Sequence, residues 1–132
     1  MQFDNSAPIW VQLVSEFARR IVVGEWTSGS RVPGVRELAA ELDVNPNTAQ
    51  RALAELERKK LCHSERTAGR FVTDDATRID DVRTELVADA AEDFVRRARG
   101  LSIRQDQAQE LIQARWNHHE HRNEPGTKTG GR

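Results

Sequence analysis

From Asn45 to Arg51 the chain reads Asn-Pro-Asn-Thr-Ala-Gln-Arg, and these residue types can read the edges of bases. Asn and Gln pair bidentately with adenine, Arg with guanine, and a Thr methyl meets that of thymine. Asn45, Asn47, Thr48, Gln50 and Arg51 therefore form a candidate base-reading set. Around it, Arg31, Arg36, Thr48, Arg66 and Arg70 are candidate phosphate contacts.

Other chemistries find little support. The single cysteine, Cys62, excludes an internal disulfide and a thiolate-rich zinc site and fits a reducing cytoplasm. His118, His119 and His121 flank Glu120, but they are adjacent or two apart, whereas ligands on one helix face stand three or four apart. They read more simply as a helix end with imidazoles near its negative pole. A metal-dependent protein stays as an alternative that a metal-content assay would decide. No Ser/His/Asp set, carboxylate pair or Gly-rich phosphate loop stands at a telling spacing, so we expect no enzyme, no metal and no cofactor.

The base-reading set needs elements to carry it. Ile9, Trp10, Leu13, Val14, Phe17, Ile21 and Val22 mark a helix from Pro8 to Val23, with Ser6 as its expected cap and Gly24 as its stop. Turn residues follow to Pro33. A short helix with Val35, Leu38, Ala39 and Leu42 inward then starts at Gly34, a weak cap. Asn45-Pro46 opens a third helix, because Asn accepts first-turn N–H groups and Pro has none to orphan. Its inner stripe is Ala49, Ala52, Leu53, Leu56 and Lys60. Between His63 and Thr73 two short strands are joined at Thr67-Ala68-Gly69. A long helix, capped by Thr77 and running through Arg99 to stop at Gly100, comes next. Ser102 with Gln105 resembles a capping box for a final helix carrying Ala108, Leu111, Ile112 and Trp116. Beyond Asn123 nothing is available to bury, and residues 123–132 are expected to be disordered.

The chain has 132 residues, 37% hydrophobic and 31% charged, enough for a small domain with an appendage. Neither a membrane span nor a secretory start is visible. The net charge of −1 gives no bulk attraction to a polyanion. From Val44 to Val72, however, six Arg and Lys face three Glu, leaving +3 there and −4 on the rest. A basic module in an acidic chain is the electrostatic footprint of nucleic-acid binding.

Helix, helix, turn, helix and ribbon, in that order between residues 8 and 73, describe a winged helix-turn-helix whose third helix can enter the major groove. The run Val32-Pro33-Gly34-Val35-Arg36-Glu37-Leu38-Ala39, followed by Val44-Asn45-Pro46-Asn47-Thr48-Ala49-Gln50-Arg51-Ala52-Leu53, resembles the DNA-binding domain of GntR-type bacterial repressors. The Pro8-Ile9-Trp10 opening and the Gly24-Glu25-Trp26 turn fit as well. The resemblance covers about residues 7–73, and its Asn-Pro-Asn-Thr start is similar to that of the short YtrA-type subfamily. It implies a DNA-contacting Arg36, a recognition helix from Asn45 to Arg51 and a wing tip from Arg66 to Arg70. Two departures stand out. Gly34 occupies the position of a capping Ser, and the wing is Arg66-Thr67-Ala68-Gly69-Arg70-Phe71-Val72 instead of an Arg-Gly-Arg-Gly-Thr-Phe-Val turn.

One stripe calls for a cover. Ile79, Val82, Leu86, Ala90 and Phe94, with Leu111, Ile112 and Trp116 of the last helix, are apolar side chains worth about 1.5–3 kcal/mol each when fully buried. Two helices alone make no stable core, so these residues predict a homodimer, which also supplies the two-fold arrangement of a palindromic operator. The expected fold is mainly α with a small β wing, divided into a DNA-binding domain at 7–74 and an α-helical dimerisation region at 77–122. The expected function is a cytoplasmic transcription regulator, a repressor, whose partners are double-stranded DNA and a second copy. A small-molecule effector, unidentified, is left open as a partner, with its pocket near Phe94 and Trp116. The other reading is a winged-helix protein-interaction module without sequence-specific DNA binding.

Overall fold

The structure is a computed structural model that describes residues 1–123; the expected disordered tail falls almost wholly outside them. Five helices and one antiparallel ribbon follow in order: α1 (Ile9–Val22), α2 (Val35–Leu42), α3 (Pro46–Arg58), β1 (Cys62–Glu65), β2 (Gly69–Val72), α4 (Ala76–Gly100) and α5 (Gln105–Asn123). By contacts the chain divides into two units, Met1–Ala88 and a second beginning at Asp89.

The first unit is a winged helix. Leu13 and Phe17 of α1, Leu38 of α2, Leu53 and Leu56 of α3, Leu61 and Val72 are fully buried together. Trp26 closes this core against Phe17, with ring centroids 5.2 Å apart. Arg20 reinforces the arrangement by bonding Glu16 on its own helix and Glu41 on α2, both at 2.9 Å, which fixes α2 against α1.

Helix ends show where local chemistry acted. Gly24 takes φ +83° beyond α1, where an L side chain would be strained, and so supplies the expected stop. Ser6 does not cap that helix. It bonds Asp4, and the N-cap is Pro8, which offers no side-chain acceptor. Gln12 instead pins the amino-terminal arm, donating to the carbonyls of Asp4 and Ala7 at 2.9 and 2.8 Å. Asn45 caps α3 as expected, its Oδ1 accepting the Asn47 N–H at 2.7 Å with Pro46 in the first turn.

The ribbon pairs Cys62 with Val72, His63 with Phe71, Ser64 with Arg70 and Glu65 with Gly69. It begins one residue before the expected strand, since Cys62 is buried and continues the core. A feature absent from the sequence reading covers the outer edge of β2. Gly29 N–H donates to Val72 (3.0 Å), Val32 N–H to Arg70 (2.8 Å), and Val72 N–H to Ser30 (2.9 Å). Residues 29–32 thus satisfy a strand edge that would otherwise be open to pairing.

The start of α4 belongs to this unit. Asp75, not Thr77, caps it, accepting the Arg78 N–H at 3.2 Å. Ile79 and Val82, expected in the dimerisation stripe, are 9% and 2% exposed and pack in the winged-helix core. Their helical face is satisfied within their own chain, which removes them from the interface set. Arg78 donates to the Lys59 carbonyl at the end of α3, and Arg83 to the Val22 carbonyl at the end of α1, each at 2.7 Å. These bonds satisfy carbonyls that a helix terminus leaves without partners.

In the second unit, α4 continues through Gly100, and Ser102, at φ +59°, takes the left-handed position expected of the glycine. The Ile103 N–H closes the end on the Ala98 carbonyl at 2.9 Å. The anticipated Ser102–Gln105 box is displaced, because Ser102 is occupied in that turn. Gln107 accepts the Arg104 N–H at 3.1 Å instead. From Gln105 to Arg122 every α5 side chain except that of Ala108 is exposed, including Leu111, Ile112 and Trp116. Phe94 and Ala98 of α4 are half-buried, whereas Ala90 is exposed.

Candidate nucleic-acid interface

Helix α3 is sharply two-sided. Ala49, Ala52, Leu53 and Leu56 are fully buried against α1 and α2, which leaves the opposite face of the first two turns outward. Asn45, Asn47, Gln50 and Arg51 are exposed there and Thr48 is half-buried. Asn45 is partly committed, since its side-chain oxygen holds the cap.

Arg51 has a support that the sequence reading missed. Its guanidinium lies 4.1 Å from the centroid of the half-buried Trp10 ring on α1. Such stacking holds a cation over a π face and limits the orientations of a long side chain. Trp10 was legible as one apolar position of α1, but its ring meets α3 across the fold, and no local spacing encodes that.

The cations divide into two groups. Arg36 on α2 and Arg66 at the ribbon turn are exposed. Arg31, also exposed, and the half-buried Arg70 are bonded to other parts of the chain. Arg31 donates through Nε to the Ala68 carbonyl at 3.2 Å and lies directly under the turn: a Cβ on Gly69 would stand 2.6 Å from that nitrogen. Gly69, at φ +110°, is required for its backbone conformation, and a Cβ there would also have to push the Arg31 side chain aside. Arg70 Nε donates to Glu57 Oε1 at 2.9 Å, and its side chain is only 18% exposed. The two arginines brace the wing, so the expected phosphate-contacting role of Arg70 conflicts with a bond already made.

Glu57 also accepts from Ser64 Oγ at 2.9 Å. Burial alone would raise its carboxyl pKa, but the bonds from Arg70 and Ser64 outweigh that and hold it below the ordinary carboxylate value. Cys62 nearby is pushed up to about 11 by burial. Among the described residues no group of three or more His, Cys, Asp and Glu is placed to hold a metal ion, and no helix is long and apolar enough to cross a membrane.

Comparison with known proteins fits this geometry. The family model "Bacterial regulatory proteins, gntR family" matches residues 11–72. The HTH-type transcriptional regulator YhcF of Bacillus subtilis (strain 168), named as uncharacterized, is 33% identical over 111 residues, 84% of this chain and 92% of that protein. This chain belongs to the GntR family. A GntR-family transcriptional regulator from Listeria monocytogenes has the same fold, with a TM-score of 0.78 and 34% identity over 85% of this chain and 98% of its own. The HTH-type transcriptional repressor YtrA of Bacillus subtilis (strain 168) is 33% identical over 72 residues, 54% of this chain and 55% of that protein. As a GntR-family member the protein is a helix-turn-helix transcriptional regulator and not an enzyme, and DNA is its partner.

Proposed function

We propose that this GntR-family regulator is a cytoplasmic repressor that binds an inverted-repeat operator as a homodimer. The observation that carries the reading is the exposed, Asn-capped start of α3, where Asn47, Gln50 and Arg51 stand outward on a helix whose other face is fully buried. That end is suited to the major groove, with Asn47, Gln50 and Arg51 on base edges and Thr48 and Arg36 on phosphates. Asn45 serves chiefly as the cap. The turn between the strands lays Arg66 on the flanking backbone, and Arg31 holds that turn in shape.

The dimer reading draws on the second unit. Trp116 is 63% exposed, Leu111 52% and Ile112 49%, beside the half-buried Phe94. Apolar side chains grouped in this way mark an interaction site, and a second copy both covers them and doubles the recognition helix. Ala90 is exposed in the same unit, and Leu86 is exposed on the part of α4 that belongs to the first unit. Repression follows from occupancy, and the name given to the relative YtrA supports that sign. An effector acts only if its affinity differs between two arrangements of the heads.

A footprint on the intergenic DNA upstream of the gene, paired with sedimentation of the free protein, tests this. We expect a dimer and two protected half-sites related by a two-fold axis, about 10 bp or a multiple apart. Trp116→Glu should yield monomers with much weaker operator binding. Protection without symmetry, or a monomeric wild-type chain at micromolar concentration, refutes the proposal.

A further inference from the structure

Ser64 and Arg70 are cross-strand partners, so their side chains leave the same face of the ribbon. His63 and Phe71, the next pair along, leave the other face and stack on each other with ring centroids 6.2 Å apart. The Ser64–Arg70 face turns to the last turns of α3. There Glu57 Oε1 accepts both donors, each at 2.9 Å. One oxygen of the recognition helix is thus bonded to both strands of the wing. Arg58 and Glu55 on the same turn pair with each other, so Glu57 alone of these three reaches the ribbon.

We propose that Glu57 is a positioning residue whose carboxylate ties both wing strands to α3 and so sets where Arg66 meets DNA. This rests on the reading above that the wing contacts the operator backbone. Ser64 and Arg70 are two and four residues from Arg66, so fixing their side chains fixes the angle at which the turn leaves the helix. Arg31 holds the turn's shape from the other side through the Ala68 carbonyl. Without Glu57 the ribbon keeps its ladder but loses its bearing on α3.

The proposal makes a prediction opposite to simple electrostatics. Removing a carboxylate near a polyanion should tighten binding, and freeing Arg70 should add a phosphate contact. The clamp predicts weaker binding instead. The test measures operator affinity across a salt series for full-length Arg66→Ala, Glu57→Ala, the double variant and Glu57→Gln, each checked for folding by thermal melt. In the native background Arg66→Ala should weaken binding roughly tenfold and reduce the slope of log K against log salt by about 1. Glu57→Ala should produce most of that loss by itself, and adding Arg66→Ala to it should cost less than about threefold more, the signature of coupled sites. Glu57→Gln keeps an oxygen that accepts both bonds and should stay within about twofold of wild type. Where Glu57→Ala does not fold, Arg70→Met breaks the same contact from the strand and should equally shrink the Arg66 effect.

Three outcomes overturn the clamp. Glu57→Ala binding as tightly as wild type or tighter, with a steeper salt slope, would mean that Glu57 merely withholds Arg70. An undiminished Arg66 effect in the Glu57→Ala background would mean that the wing finds its place without the carboxylate. If Arg66→Ala is silent in the native background, the wing reading fails, and the clamp with it; the first two outcomes, with Arg66→Ala still weakening the wild type, sink the clamp alone.

Discussion

The Arg51 guanidinium rests over the Trp10 indole, 4.1 Å from the ring centroid, so a side chain of the recognition helix is steadied by the first helix of the fold. Replacing Arg51 with Ala should cost about 1–3 kcal/mol of operator affinity, concentrated at one base position. Trp10→Leu keeps apolar bulk but removes the π face and should give a smaller loss. Binding to a set of single-base operator variants distinguishes the two, because only Arg51→Ala should relax specificity at its own position.

The Asn45 cap is a stability element that happens to lie in the interface. Asn45→Ala leaves the Asn47 N–H without its acceptor and should destabilise the fold by about 1 kcal/mol, whereas Asn45→Asp should be nearly neutral in stability. Urea titration of both variants checks this. An equal loss in Asn45→Asp would mean that the bond at 2.7 Å contributes little.

Acid should loosen the head through Glu16. The bond from Arg19 lowers its carboxyl pKa most; burial opposes that, and Arg20 adds to the lowering, so that the value falls to about 2 from an ordinary 4.5. A carboxyl depressed in the folded state contributes stability that is complete above about pH 4.5 and lost as pH falls towards 2. Because the Arg19 side chain is half exposed and screened by solvent, the contribution is of order 1 kcal/mol. Glu16→Gln should flatten the stability profile across that window, and an unchanged profile would assign acid sensitivity to other carboxylates.

Cys62 should be chemically silent while the protein is folded. Burial excludes reagents and holds the thiol near 11, so little of the reactive thiolate forms at neutral pH. A thiol-reactive chromophore at pH 8 should label it at the rate of unfolding, rising steeply with denaturant. Fast labelling of native protein would show that the ribbon edge opens.

Most of the head was legible because its signals are local. The 3–4 residue spacing of Leu13, Phe17 and Ile21 and the Asn45-Pro46 start each act within a few residues of themselves and reappear in the structure. The turn expected at Thr67-Ala68-Gly69 lies one residue earlier, at 66–68, with Gly69 already in β2 and paired with Glu65. What sequence reading missed joins distant segments. The edge cover by residues 29–32, Trp10 under Arg51 and Glu57 against the ribbon depend on tertiary placement, which periodicity does not encode. The same reason explains Ile79 and Val82. Along α4 the apolar stripe is continuous with Leu86 and Phe94, and nothing in its pattern marks where coverage by the same chain ends.

Because α4 supplies two core side chains and two carbonyl-satisfying arginines to the head, the smallest independently stable fragment should extend well past the ribbon. A polypeptide stopped after residue 74 forfeits Ile79 and Val82, at about 1.5–3 kcal/mol each, and uncovers carbonyls at the ends of α1 and α3. It should melt without a cooperative transition, whereas one stopped after residue 88 should unfold in a single sharp step. Because those contacts come from residues 78–83 of α4, a nick between residues 76 and 83 would disarm the head itself, not merely sever a tether.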